Sequence, residues 1–461
     1  MNRGELVEWC RRLIACRSLT REGTREIAAL CAGELLAPAG IKARLIPSPA
    51  EGDSQVNLVA AVKGEDSALA PILLNTHLDT VPPGDSALWT ACGGDPFNAT
   101  IDGDRIYGLG TSDTKLDFVA KAAALAEVGR PRRDVWLVAT FGEEHGLIGA
   151  KEIVAAGIVP RGALAFVGEP SMAEVVTAHK GIVFFHLELR FEPAALPQPV
   201  AARRAIFLGR SAHSSTPALG SNAILAALGA IADYPRPLVA SISGGDAVNK
   251  VAARCELTVT GDAPQLAAIA AQIEPAVHPV QQVIPRAAIA ALTAFISHLS
   301  EFANRNGPPE PGYASPTLTW NPGVIRSTDN SIVLEFELRP PPSMSIDTVR
   351  AGVNQAAGAI ARLGDGVTVD LVERRANPGF RSPESSATVA LATAALAAAA
   401  LPIKTAVKTG CTEAGIYAAA GLEPVVFGPG MSAGVIHAPN EYNLISQVEG
   451  ATRFYRAILR S

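Results

Sequence analysis

The chain has 461 residues, 48% of them hydrophobic and 18% charged, with a formal net charge of −5 from 39 basic and 44 acidic side chains. Disorder needs low hydrophobicity with high net charge, and a general nucleic-acid or anionic-membrane binder needs a positive field, so these classes are excluded. At roughly 150 residues per domain the length suggests about three domains at most. Residues 1–18 mix charges with apolar residues and lack the unbroken apolar core of a signal peptide. The longest apolar stretches are Ala-rich, as at 387–401, and too short to span a bilayer. The six cysteines (Cys10, Cys16, Cys31, Cys92, Cys255 and Cys411) are scattered without a CxxC pair. That reads as reduced thiols of a cytoplasmic protein, not a disulfide frame or a thiolate zinc site.

In chain order, residues 24–37 space their apolar positions by three and four and predict a helix that Thr24 could cap. Ile72-Leu73-Leu74 reads as a buried strand leading into Asn75-Thr76-His77-Leu78-Asp79. Residues 115–128 predict a second helix, with Thr114 as the candidate cap. Val135 to Phe141 is a strand followed by Gly142-Glu143-Glu144, and Ala163 to Val167 is one followed by Gly168-Glu169-Pro170. Residues 182–191, 249–260 and 331–339 alternate apolar and polar positions in part, as antiparallel strands with one wet face do. Helical stretches at 221–233, 286–302 and 346–362 separate them, and 307–316 is a Pro/Gly loop. A last apolar strand, Pro424 to Phe427, precedes a Gly-Pro-Gly turn and then His437. The predicted class is α/β: a mostly parallel-sheet domain from 1–180 and 376–461, with an α+β domain, 181–375, inserted into it.

Open α/β sheets bind ligands beyond the carboxyl ends of their strands, and the acids and histidines cluster there. His77, Asp113, Glu144, Glu169 and His437 supply two imidazoles and three carboxylates. This donor set suits zinc, cobalt or manganese, and without thiolate it disfavours a purely structural zinc site. A carboxylate can bridge two ions roughly 3.5–4 Å apart, the spacing of two-metal hydrolases. Asp79, two residues after His77, can accept the histidine's other N–H and fix its tautomer. Glu143 and Glu144 are adjacent and point differently, so one can bind metal while the other acts as a general base. Singly these residues read blandly: Asp113 as a helix cap, the Glu pair as a solvated loop, Glu169-Pro170 as the start of a turn. Their recurrence after successive strands favours the site.

The motif set HLDTVP (77–82), DPFNATIDGDRIYGLGTSDTK (95–115), FGEEHG (141–146), GEPS (168–171) and GPG…HAPNE (428–441) resembles one family. It is that of the dinuclear zinc hydrolases acetylornithine deacetylase, succinyl-diaminopimelate desuccinylase, aminoacylase and carboxypeptidase G. The resemblance implies that His77 binds one metal, that Asp113 bridges both, that Glu144 and His437 bind the second, and that Glu169 completes the first. It implies Glu143 as general base and Asp79 as the support of His77. It also implies that the insert is a lid and a homodimerisation surface. GRSAHSSTPALGSNAI (209–224) carries His213, which by similarity stabilises the oxyanion in its own or a partner's site. Asn249 and Arg339 match substrate-contacting lid positions, and Arg375 lies where some relatives place an arginine for a substrate carboxylate.

Three departures stand out. Asn249 and Arg339 are separated by extra sequence, so the lid looks enlarged, as in the family's aminoacyl-histidine dipeptidases. Leu116-Asp117 stands where relatives usually have two glycines, and Thr412-Glu413 where they have Thr-Asp. The implied activity is cleavage of the amide of an N-acyl amino acid by a hydroxide that bridges two divalent ions. The alternatives are an aminoacyl-histidine type of dipeptidase, or another C–N hydrolysis on a small carboxylate-bearing substrate. The expected partner is that small molecule, with no nucleic acid and no membrane. A non-catalytic binding protein or a metal-stabilised scaffold would not need Glu143 beside a complete ligand set.

Overall fold

Ile72–His77, Val135–Thr140 and Leu164–Val167 are buried along nearly their whole length. Their residues are apolar on both faces, as strands covered on both sides must be. They form the centre of a nine-stranded sheet, in the order Val135–Thr140, Ile72–His77, Leu164–Val167, Val425–Val426, all paired in parallel. The sheet comes from a computed structural model that describes residues 1–461 except 233–237, 268, 270, 271, 276, 277, 306, 308, 363–365 and 433. On one side Gly52–Val62 and then Ala43–Ser48 continue it antiparallel. On the other, Val175–His179 pairs antiparallel with Val425–Val426 and with Phe380–Arg381, and parallel with Thr405–Lys408. The α/β class with a parallel centre is therefore found, with antiparallel strands added at the flanks. Because the central strands run the same way, their carboxyl ends deliver His77, the Glu143-Glu144 turn and Glu169 to one edge.

Helix Lys115–Val128 is buried from Lys115 to Leu125, so it has no solvent-facing side over that stretch. It packs against helices Arg3–Ala15 and Ile445–Arg460 and the strand Ile72–His77. Neither predicted threonine caps its helix with a side chain. Each hydroxyl bonds a strand instead: Thr24 Oγ1 donates to Val56 O at 2.9 Å, and Thr114 Oγ1 to His77 O at 3.3 Å. The helix starting at Arg25 lasts only to Leu30 before passing into a π-turn over Cys31–Leu36.

The chain divides into two compact units, Met1–His179 with Phe380–Ser461, and Lys180–Gly379. The second holds an eight-stranded antiparallel sheet ordered Gln272–Pro275, Arg203–Leu208, Arg254–Thr260, Leu238–Gly244, Thr319–Ser327, Ser331–Arg339, Ile182–Phe191, Val367–Asn377. Inward residues of the alternation, such as Val183, Phe185 and Leu187, share a core with Phe295 and Leu299 of helix Arg286–Arg305 and with Val349 and Val353 of helix Ile346–Ala361. The helix predicted at 221–233 runs over Ala223–Ala232, and residue 233, like 308 in the predicted loop, lies outside the described residues. The strand predicted from 249 begins only at Arg254, because the chain turns after Gly244. Gly245 has φ +70°, and a Cβ there would stand 1.8 Å from Gly323 O, so this turn needs glycine. Among the described residues no helix is long and apolar enough to cross a membrane.

Candidate metal centre

His77 ends its strand with the side chain buried. Its Nδ1 lies 3.0 Å from the main-chain oxygen of Asp79 and 3.5 Å from Asp79 Oδ1. An oxygen so placed accepts a hydrogen bond from Nδ1–H and turns Nε2 toward Asp113 Oδ1 at 3.0 Å and Glu169 Oε1 at 3.9 Å. The Asp79 carboxylate serves mainly the acid pair. It accepts the backbone N–H of Glu143 at 3.1 Å and of Glu144 at 3.4 Å, and the Thr20 hydroxyl at 2.7 Å. Asp79 thus meets His77 first through its carbonyl, and ties that strand end to the next.

Asp113 is held by its backbone. Glu441 accepts the N–H of Ser112 at 2.7 Å and of Asp113 at 3.0 Å through one oxygen. The two oxygens of Asp113 then face different imidazoles: Oδ1 meets His77, and Oδ2 lies 3.4 Å from His437 Nε2. His437 Nε2 is also 3.1 Å from Glu144 Oε1. His437 has φ +55°, a left-handed conformation that costs a non-glycine residue roughly 1 kcal/mol or more and collects at functional sites. The result is two overlapping groups, His77–Asp113–Glu169 and Asp113–Glu144–His437, each with one donor atom per residue within 4.8 Å of the others. Glu143 belongs to neither and is buried beside Glu144.

The electrostatics suit a site for divalent cations. Burial first, then the charge of Glu169, holds the Glu143 carboxyl well above its usual range. Burial and the Asp113 charge raise Glu144 likewise and push Glu169 up to about 8. Burial pushes Asp113 up too, but hydrogen bonds from His437 and His77 outweigh it and hold it low. Hydrogen bonds to Asp113 and Glu144 push His437 up to about 11. Burial works against a charged His77, but Asp113 and Asp79 overcome it, so this imidazole too is raised. So many carboxylates sharing a buried site is the situation that divalent ions relieve, and the donor set, oxygen and imidazole without sulfur, fits zinc, cobalt or manganese.

The remaining expected residues lie in the Lys180–Gly379 unit. His213 Nδ1 is 3.1 Å from the Ser215 N–H and 2.7 Å from Ser215 Oγ, so the ring proton sits on Nε2. Asn249 lies exposed in a turn, its carbonyl accepting the Ser214 N–H at 3.0 Å. Arg339 is buried at the end of its strand and donates through Nε to Glu337 Oε1 at 2.7 Å, and the Ser214 hydroxyl reaches the same oxygen. Arg375 pairs in register with Phe184, and its Nε is buried with no hydrogen-bond partner among the described residues.

Two supporting residues, Glu441 and Thr20, escaped the sequence reading, while Glu413 entered it only as a departure from the family pattern. Glu441 sits inside the quoted HAPNE motif but was not singled out; burial and the Asp113 charge push its carboxyl up to about 7. Glu413, also pushed up to about 7 by burial, accepts the Thr140 hydroxyl at 2.9 Å. Thr20 lies far from any motif, and nothing in the sequence points to its bond with Asp79.

An α/β sheet whose parallel strands gather imidazoles and carboxylates at one edge defines the class, a fold of the metallopeptidase type. The sequence pattern of peptidase family M20/M25/M40 matches residues 73–461, and the chain belongs to that family. Acetylornithine deacetylase from Photorhabdus laumondii is 32% identical over 240 residues, 47% of this chain and 55% of that protein. The match thus spans about half the length of that relative. The fold is similar to that of aminoacylhistidine dipeptidase from Vibrio alginolyticus, with a TM-score of 0.71, 17% identity, and coverage of 98% of this chain and 96% of the other. It is also similar to an M20 family metallo-carboxypeptidase from Sulfolobus solfataricus, with a TM-score of 0.62, 16% identity, and coverage of 100% and 99%.

Proposed function

We propose that the chain is a metal-dependent hydrolase that cleaves the amide bond of an N-acyl amino acid. The observation that carries this reading is Asp113, whose two oxygens turn to two separate donor groups. In it, His77, Asp113 and Glu169 would hold one divalent ion, and Asp113, Glu144 and His437 the other; zinc is the first choice, with cobalt and manganese as alternatives. Such ions would acidify water and polarise a carbonyl. Glu143 takes the proton from the attacking water as the C–O bond forms. It returns that proton to the leaving nitrogen as the C–N bond breaks, giving a carboxylic acid and an amine. His213, with its proton on Nε2, is assigned to the oxyanion, and Asn249, Arg339 and Arg375 to the substrate's carboxylate end.

A dipeptidase activity is the second reading. The likeness to aminoacylhistidine dipeptidase across 98% of the chain favours it, as does the size of the inserted unit. A panel of N-acetyl amino acids and dipeptides, run on metal-loaded protein with released amine as readout, decides between them. Turnover of neither class would overturn both. A cytoplasmic location is proposed from the free cysteines, and a homodimer through Lys180–Gly379, acting as a lid, from the family resemblance.

A further inference from the structure

Beneath the site lies a second polar cluster that the proposed reaction does not use. The Asp117 carboxylate is buried on the first turn of helix Lys115–Val128. It forms an ion pair with Lys121 at 2.7 Å and accepts the Thr76 hydroxyl at 2.6 Å and the Tyr455 hydroxyl at 2.5 Å. The Lys121 ammonium also donates to Thr76 Oγ1 at 2.8 Å and to Asn75 O at 2.5 Å, so all three of its protons are placed. Asn75 O in turn accepts the Gly168 N–H at 2.7 Å. Gly168 fits closely: a Cβ there would lie 2.0 Å from Asp117 Oδ2. A Cβ on Gly428 would lie 3.2 Å from Asp117 Oδ1 and 2.6 Å from Glu169 O.

One carboxylate therefore touches the residue before His77, the residue before Glu169, and the loop that leads toward His437, while sitting four residues after Asp113 on the chain. We propose that Asp117, with Lys121 and Tyr455, is a positioning device that sets the spacing of the His77 and Glu169 strand ends, and so the geometry of the His77–Asp113–Glu169 group. A buried ion pair is weak evidence for stability, since apolar residues of similar volume often serve as well. What it adds here is direction. Each hydrogen bond fixes a strand end at a set distance, and residues that orient metal ligands typically change affinity ten- to hundredfold when removed. The inference rests on the two-metal reading above.

The test is a competition titration of zinc against a chromophoric chelator, with the unfolding midpoint of the metal-free protein as control. Tyr455→Phe removes the hydroxyl shared between Asp117 Oδ1 and Phe427 O, at 2.5 and 3.0 Å, without stranding a charge; Asp117→Asn with Lys121→Gln removes the charges together. The expected result is a roughly tenfold or greater weakening of at least one of the two zinc affinities in Tyr455→Phe, with the metal-free midpoint little changed. The double variant should show a larger loss, and if it does not fold, Tyr455→Phe alone decides. Wild-type affinities for both ions in the folded variants would overturn the positioning role and leave the metal reading intact. Wild-type protein that binds no zinc would overturn the metal reading itself.

Discussion

The Asp117–Lys121 cluster is buried, the strand-edge cluster above it is buried apart from an exposed His437 and a half-buried Glu144, and the two share the strand Ile72–His77, but they meet the cost of burying charge differently. The lower cluster is closed. Its ammonium has three oxygen partners, and its carboxylate has the ammonium and two hydroxyls. The upper cluster is open. Among the described residues only the imidazoles of His77 and His437 stand within ion-pair distance of Asp113, Glu144 or Glu169. Burial first, and then the neighbouring carboxylates, push Glu143, Glu144 and Glu169 up. A protein keeps a cluster of the first kind to hold shape, and one of the second kind when something positively charged completes it.

The sharpest way to break the contrast is at Asp113. Asp113→Asn should lose at least one equivalent of metal and with it the activity, because the amide offers only one oxygen where two are shared; elemental analysis of dialysed protein checks this. Glu143→Gln should keep its metal and lose about 10²- to 10⁴-fold in turnover, the range of a general acid–base group. Single-turnover kinetics with metal content confirmed would show it, and near-normal turnover would remove Glu143 from the mechanism. Asp117→Asn should act on stability as well as on zinc affinity. It strands Lys121 in the interior and should cost about 3–5 kcal/mol in denaturant unfolding. The metal-free form of Glu143→Gln should be as stable as wild type or more so near neutral pH, since it removes a carboxyl that burial disfavours.

The smallest effect is one of pH. Glu169 keeps its proton in the folded protein up to about 8, while the unfolded chain loses it near the ordinary carboxylate value. The folded state then binds more protons across that window, so metal-free stability should fall as pH rises from 5 to 8. Glu144 and Glu143, raised in the same direction, add to it. His437, raised to about 11, contributes stability that is full below its unfolded value and fades above it, which has the same sign. Asp113, held low, acts oppositely but only in acid. Thermal unfolding of chelated and metal-loaded protein at several pH values should show the slope in the first and a flatter curve in the second.

Much of the site was legible because its residues follow short apolar runs. Ile72 to Leu74 and Val135 to Phe141 read as buried strands on composition alone, and placing His77 and Glu143-Glu144 at their ends needs only the rule that parallel strands end at one edge. The supports were less legible, since their partners are distant in sequence. Glu441 reaches back to Asp113, and Tyr455 to Asp117, across more than 300 residues. Thr24 and Thr114 were misread for the same reason: a capping pattern is local, whereas their hydroxyls bond strands beyond the helix. The turn after Gly244 was hidden because Gly245 approaches Gly323, a residue that no local pattern brings near.

The central claim is that Asp113 joins two donor groups into one two-metal site. Zinc content per chain, measured by elemental analysis after loading and exhaustive dialysis, tests it most directly. Two equivalents are expected in the wild-type protein and at most one in Asp113→Asn; a wild-type protein that retains one equivalent or none would contradict the shared site.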